Sequence, residues 1–100
     1  DGTANGAPIL EHGNQYGVWA EVLGKEFERL TAATAKGQKT VMDDYGATNP
    51  AEFFAVASEA FFEKARVMER KHPELYKQLR TFYRVDPARW DRPTKITRNR

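Results

Sequence analysis

From about residue 15 to residue 35, large apolar side chains return at three- and four-residue steps, at Trp19, Val22, Leu23, Phe27 and Leu30. Glu21, Lys25, Glu28 and Arg29 fall on the other side. That period predicts an amphipathic helix lying on a core. A second periodic run starts after Asn49-Pro50, where an amide suited to capping precedes a proline suited to the first helical position. It predicts a helix to about residue 70. Phe53, Phe54, Val56, Ala57, Ala60, Phe61, Ala65 and Met68 cover so much of its circumference that it should be buried on several sides. His72-Pro73-Glu74 opens a third helix, striped by Leu75, Tyr76, Leu79, Phe82 and Tyr83 and closed by Asp86-Pro87. The predicted class is mainly α, with three helices.

The remaining stretches read as connections. "DGTANGAPILEHGN", with Gly2, Gly6, Gly13 and Pro8, predicts a glycine-rich N-terminal loop. Residues 36–49 break the period at Gly37 and Gly46 and carry a short apolar patch, Val41-Met42. The division expected is a body over residues 1–87 and an irregular, flexible basic tail over 88–100 in which Trp90 is the one aromatic residue. No repeat, alternating strand or low-complexity block is seen.

Composition narrows the classes. One hundred residues with 40% apolar content make one domain with a modest core. The net charge of +2 is too mild to imply nucleic acid by itself. It is uneven, because Arg84 to Arg100 hold six basic and two acidic residues. A nucleic-acid partner resting on that tail alone is a weak reading. The absence of cysteine excludes a disulfide framework and a thiolate metal site. No apolar run approaches the roughly 18 residues that span a bilayer, so no membrane is expected and the cytoplasm is the simplest compartment. The chain opens on Asp1 rather than Met, and the expectation is that it is a piece of something longer.

Candidate chemistry centres on the start of the second helix. Glu52 stands three residues after Asn49, the spacing of a capping box in which the carboxylate returns to the Asn49 N–H. The other reading is a metal ligand, since a helix N-terminus favours the ionised carboxylate that a divalent cation needs. Tyr45, seven residues earlier, is either a turn-flanking aromatic or a phenol placed to donate to an oxyanion near the same cation. Glu59 stands two turns beyond Glu52 on roughly the same face. It is an acceptor for a ligand histidine, a partner for a basic residue, or solvated. His12 lies in the glycine loop, and His72 before Pro73 is expected to cap or be solvated; neither is at ligand spacing. No nucleophile-elbow, Walker or dinucleotide motif occurs.

"DGTANGAPIL", then "YGATNPAEFFAVASEAFFE", then "HPELYKQLRTFYRVDP" together resemble the C-terminal part of the Mlc titration factor family. These are bacterial zinc-dependent peptidases of gluzincin type whose catalytic domain is similar to that of anthrax lethal factor. The resemblance covers roughly residues 1–87, and its Y-x-A-T-N-P-A-E-F-F segment is the specific part. It implies a zincin-like fold, of which this chain would be a three-helix fragment. It also implies that Glu52 is the third protein ligand to zinc and Tyr45 the active-site phenol. The HExxH helix of the family, with two ligand histidines and the general base, is absent from these residues. By the resemblance it would lie about ten residues before the D-G-x-A-N-G loop.

The resemblance therefore implies peptide hydrolysis, plausible for short substrates or N-terminal residues, in a longer parent. The chain alone is expected to bind no zinc tightly and to be inactive, since catalytic zinc takes about three protein ligands. The rival reading is a helical module that binds a protein, in this family a transcriptional repressor of sugar uptake. An apolar face left uncovered would also favour self-association.

Overall fold

The computed structural model describes residues 13–90, with side chains from residue 15. The glycine-rich loop with His12, and residues 91–100 of the predicted tail, lie outside the described residues. Four helices succeed one another: α1 (Gly13–Ala35), α2 (Pro50–Glu63), α3 (Ala65–Lys71) and α4 (Pro73–Tyr83). Single 3-10 turns stand at Asp44–Ala47 and Pro87–Arg89. No strand occurs among the described residues, so the mainly α class holds.

The helix ends are chemically explicit. Gly37 adopts φ +71, and the chain closes on α1 with Gly37 N–H on Thr34 O at 3.0 Å and Gln38 N–H on Ala33 O at 2.9 Å. This is a Schellman stop, which needs a left-handed residue just past the helix. Asn49 caps α2, its Oδ1 accepting from the Glu52 N–H at 2.9 Å, and Pro50 takes the first helical position. Pro73 opens α4, which ends at Arg84 in the left-handed region (φ 62, ψ 35).

One predicted helix is two. At Lys64 the backbone leaves helical geometry (φ −129, ψ 45), separating α2 from α3. Its N–H still bonds Ala60 O at 2.7 Å and its carbonyl still accepts from Met68 N–H at 2.9 Å, so the bend sacrifices little hydrogen bonding. The apolar steps Phe61, Ala65 and Met68 keep phase through it, and neither glycine nor proline marks it. The change of direction is selected by packing, because it seats α3 on α4 and on the turn at 87–89.

The core is aromatic. Trp19 lies 5.8 Å from Phe54 and 5.4 Å from Phe82. Phe61 lies 5.0 Å from Tyr76 and 5.8 Å from Tyr83. Such pairs add about 0.5–1.5 kcal/mol each beyond area burial. Contrary to the expectation of burial on several sides, α2 is one-sided. Phe53, Val56, Ala57, Ala60 and Phe61 are buried, but Ala51, Ala55, Glu59 and Phe62 are exposed. The residues of the predicted stripe are buried or half-buried, but within α2 they fall in one arc of the helix.

The first residues of the predicted tail are held to this body. The buried Tyr76 hydroxyl donates to the Asp86 carboxylate and accepts from the Ala88 N–H at 2.9 Å. Arg66 Nε adds a bond to Ala88 O at 3.0 Å. Burial first, then the bond to Asp86, pushes the Tyr76 phenol up to about 12. A phenol raised in the folded state contributes stability that is full below its ordinary value of 10.0 and is lost as pH rises towards about 12. Tyr76→Phe should cost about 1–3 kcal/mol at neutral pH, since it strands the Ala88 N–H. It should also remove this phenol's contribution to the alkaline loss. Urea titrations at pH 7 and across that window check both, and equal midpoints at pH 7 would refute the anchoring role.

Candidate functional site

The approach to α2 is built around one glycine. Asp43 Oδ1 accepts from the Tyr45 N–H at 2.8 Å, and Asp43 O from the Gly46 N–H at 3.0 Å, which tightens residues 43–47 into a 3-10 turn. That turn lies on both α1 and α2. A Cβ on Gly46 would stand 2.3 Å from Val56 Cγ2, 3.1 Å from Leu30 Cδ2 and 3.4 Å from the Phe53 backbone. Only a bare Cα permits this approach. Met42, just before it, is buried, so both ends of the connection are fixed.

The turn delivers Tyr45 to the N-terminal end of α2 with its ring 56% exposed, so it is not a packed core aromatic. Glu52 sits in the first turn of α2, half-buried. Half of the capping box is formed, by Asn49 on the Glu52 N–H. The return bond from the Glu52 carboxylate is not, and that carboxylate takes no hydrogen bond or ion pair among the described residues. A half-buried carboxylate at a helix N-terminus is favoured as the anion. Glu59, two turns on, is exposed and lines a groove with Met42, Asp43, Val56, Glu63 and Lys64. It takes no salt bridge among the described residues. Tyr45 thus stands on the turn before α2, Glu52 in the first turn of that helix and Glu59 farther along it.

As a metal site this donor set is partial. Among the described residues no three of His, Cys, Asp and Glu gather closely enough to hold an ion. Glu52 suits one ligand position, its carboxylate being unengaged among the described residues. The other donors of a catalytic zinc are not among its neighbours here.

His72 is neither capping nor solvated. No side-chain cap bond forms at α4. Instead His72 Nδ1 lies 2.9 Å from Oε1 of Glu26, whose side chain is 5% exposed, and Arg29 Nη1 holds Oε2 at 3.1 Å. The pair ties α1 to the α3–α4 junction. A signal was present in the sequence, because Glu26 falls on the apolar stripe between Leu23 and Leu30, where a carboxylate needs a partner.

Known proteins share much of this chain. A family described as glucose-regulated metallo-peptidase M90 matches residues 1–84. An uncharacterized protein of Synechocystis is 42% identical over 87 residues, which are 87% of this chain and 32% of that protein. Mlc titration factor A of Pectobacterium atrosepticum is 35% identical over 88 residues, 86% of this chain and 33% of its own. Mlc titration factor A of Yersinia enterocolitica is 46% identical over 54 residues, 50% of this chain and 20% of its own. The chain therefore spans a third or less of the length of these curated relatives. No solved structure matches it significantly.

The close approach at Gly46 generates a direct test. Gly46→Ala should destabilise the fold by about 1–3 kcal/mol, the usual cost of overpacking. Paired with Val56→Ala, which removes the nearest clash, it should cost less than the sum of the two single changes. Strict additivity in a double-mutant cycle would show that the contact does not govern the turn.

Proposed function

The chain belongs to the glucose-regulated metallo-peptidase M90 family, and from this premise we propose that it is the C-terminal part of a zinc-dependent peptidase, supplying the third protein ligand. The observation that carries the reading is the Glu52 carboxylate. It stands unengaged at the N-terminus of α2, inside the residues that the family match covers. Two histidines of an HExxH helix, contributed from outside these 100 residues, complete the ligand set. A zinc ion held there supplies a Lewis acid for the scissile carbonyl and lowers the pKa of bound water.

The chain's own residues divide the remaining work. Glu52 presents its carboxylate from the first turn of α2 as the ligand. Tyr45, carried on the Gly46 turn with its ring in solvent, donates a hydrogen bond to the oxyanion that forms on the peptide carbonyl. Glu59 accepts from a ligand imidazole and fixes its tautomer. Because HExxH is absent from the 100 residues, the chain by itself is inactive in this reading. Substrates are peptides, cleaved near their N-termini.

A second reading has one observation in its favour, the name Mlc titration factor A borne by relatives. In it the helical body is a module that binds the Mlc partner independently of any chemistry. The two readings part at Glu52.

In the full-length protein, Glu52→Gln should lower zinc content at least about tenfold, in keeping with loss of a directly bound carboxylate. Metal analysis of the purified variant reads this out, and normal zinc content would sink the assignment. Partner capture that persists unchanged in the same variant and after chelation assigns that binding to the module. Tyr45→Phe should leave zinc content intact and lower kcat by about 10²-fold, the scale of one lost oxyanion donor. Unchanged turnover would remove Tyr45 from the mechanism.

A further inference from the structure

Charge along this chain is partitioned. Residues 1–63 hold four basic and ten acidic residues, a net of −6, whereas residues 64–100 hold twelve basic and four acidic, a net of +8. The fold sharpens this contrast. Glu69 is taken by Arg89, with Nη1 to Oε1 at 3.2 Å. Asp86 is taken by Arg89 at 3.3 Å, by Arg80 at 3.8 Å and by the Tyr76 hydroxyl. This ladder links α3, the turn at 87–89 and α4 into one surface and consumes the acids within it. Arg70, Lys71 and Lys77 are exposed on the same two helices and take no ion pair among the described residues. Only Glu74 remains to offset them before residue 91.

Beside the ladder lie two exposed aromatic rings. Trp90 is 49% and Phe62 is 40% exposed, with ring centroids 6.3 Å apart. Arg66 holds the Trp90 backbone by donating to Trp90 O at 3.4 Å. Among the unpaired cations Arg70 carries a fork that fits phosphate oxygens in pairs, and Lys71 and Lys77 add point charges. Basic side chains on helices that adjoin open π faces suit a strand of phosphates whose bases are free to stack. A duplex keeps its bases stacked on one another, so it would use the charges and leave the rings idle.

We propose that the face formed by α3, α4 and the turn at 87–89 binds single-stranded nucleic acid. Arg70, Lys71 and Lys77 contact phosphates, and Trp90 with Phe62 is the stacking platform. The net charge of +8 enlarges the +4 of the tail alone, because the helices before the tail present the same sign. This site is separate from Glu52 and does not depend on peptidase chemistry.

The test is fluorescence anisotropy of a labelled oligothymidylate titrated with the chain over a range of salt. Binding should weaken steeply, with log K falling by about 0.7 per decade of salt for each phosphate engaged. Arg70→Glu/Lys71→Glu/Lys77→Glu, with helicity checked by circular dichroism, should flatten that slope by about 2. Trp90→Ala should lower affinity at least about fivefold at fixed salt, the lower end for loss of one base stack. No binding at about 50 mM salt, or an unchanged slope in the folded triple variant, overturns the proposal. Tighter binding of the matched duplex overturns the single-strand assignment. Tighter binding of polyglutamate or phosphatidylglycerol vesicles transfers the face to an acidic protein or a membrane and overturns it too.

Discussion

Val56, Leu30 and Phe53 leave no space for a Cβ at Gly46, and much of what this fold can do depends on that approach. The turn it permits meets α1 and α2 together, so the connection enters α2 at a fixed angle. Asn49 then caps the helix, and Glu52 falls in its first turn. Tyr45, next to the glycine, is turned outward by the same geometry that turns Gly46 inward. One missing side chain thus couples packing of the core to the presentation of two polar groups at a helix end.

The carboxylates show how unevenly a small fold treats like groups. Glu26 is inside, and it is tolerated because His72 and Arg29 each take one of its oxygens. Asp86 and Glu69 are committed to the ladder that fastens the end of the body to α3 and α4. Glu52 takes no such partner among the described residues, although it stands half-buried in the first turn of α2. Burying a carboxylate without a partner is costly. That contrast separates Glu52 from the more exposed Glu59.

Local chemistry was legible and global direction was not. Gly37, Asn49-Pro50 and Pro73 each act through their own backbone or that of a neighbour, and the structure puts a helix boundary at each of them. The bend at Lys64 has no such agent. It arises because α3 gains contact with α4 and the turn after it, which no window of the sequence contains. The partnership of Glu26 with His72 spans 46 residues, and only the misplaced charge on an apolar stripe hinted at it. Tyr45, Glu52 and Glu59 could be placed on their elements from spacing alone. The roles given to Tyr45 and Glu52 came from resemblance, since a single carboxylate at a helix start reads first as a cap, and only Glu59's came from spacing.

The partition of charge bears on how two binding functions can share so small a chain. Glu52 and Glu59 belong to the acidic stretch, which raises the local concentration of cations and repels polyanions. The basic stretch begins directly after α2, at Lys64, where the backbone turns away. At physiological ionic strength, charges farther apart than about 8 Å are largely screened. Glu52 stands twelve residues before Lys64, about 18 Å along a helix, so a phosphate strand held on α3 and α4 is largely screened from it. The bend at Lys64 is the structural element that makes this possible, because a straight helix would run acidic and basic faces together along one axis. Its absence from the sequence pattern and its place at the change of sign have the same source, the packing of α3 against α4 and the turn at 87–89.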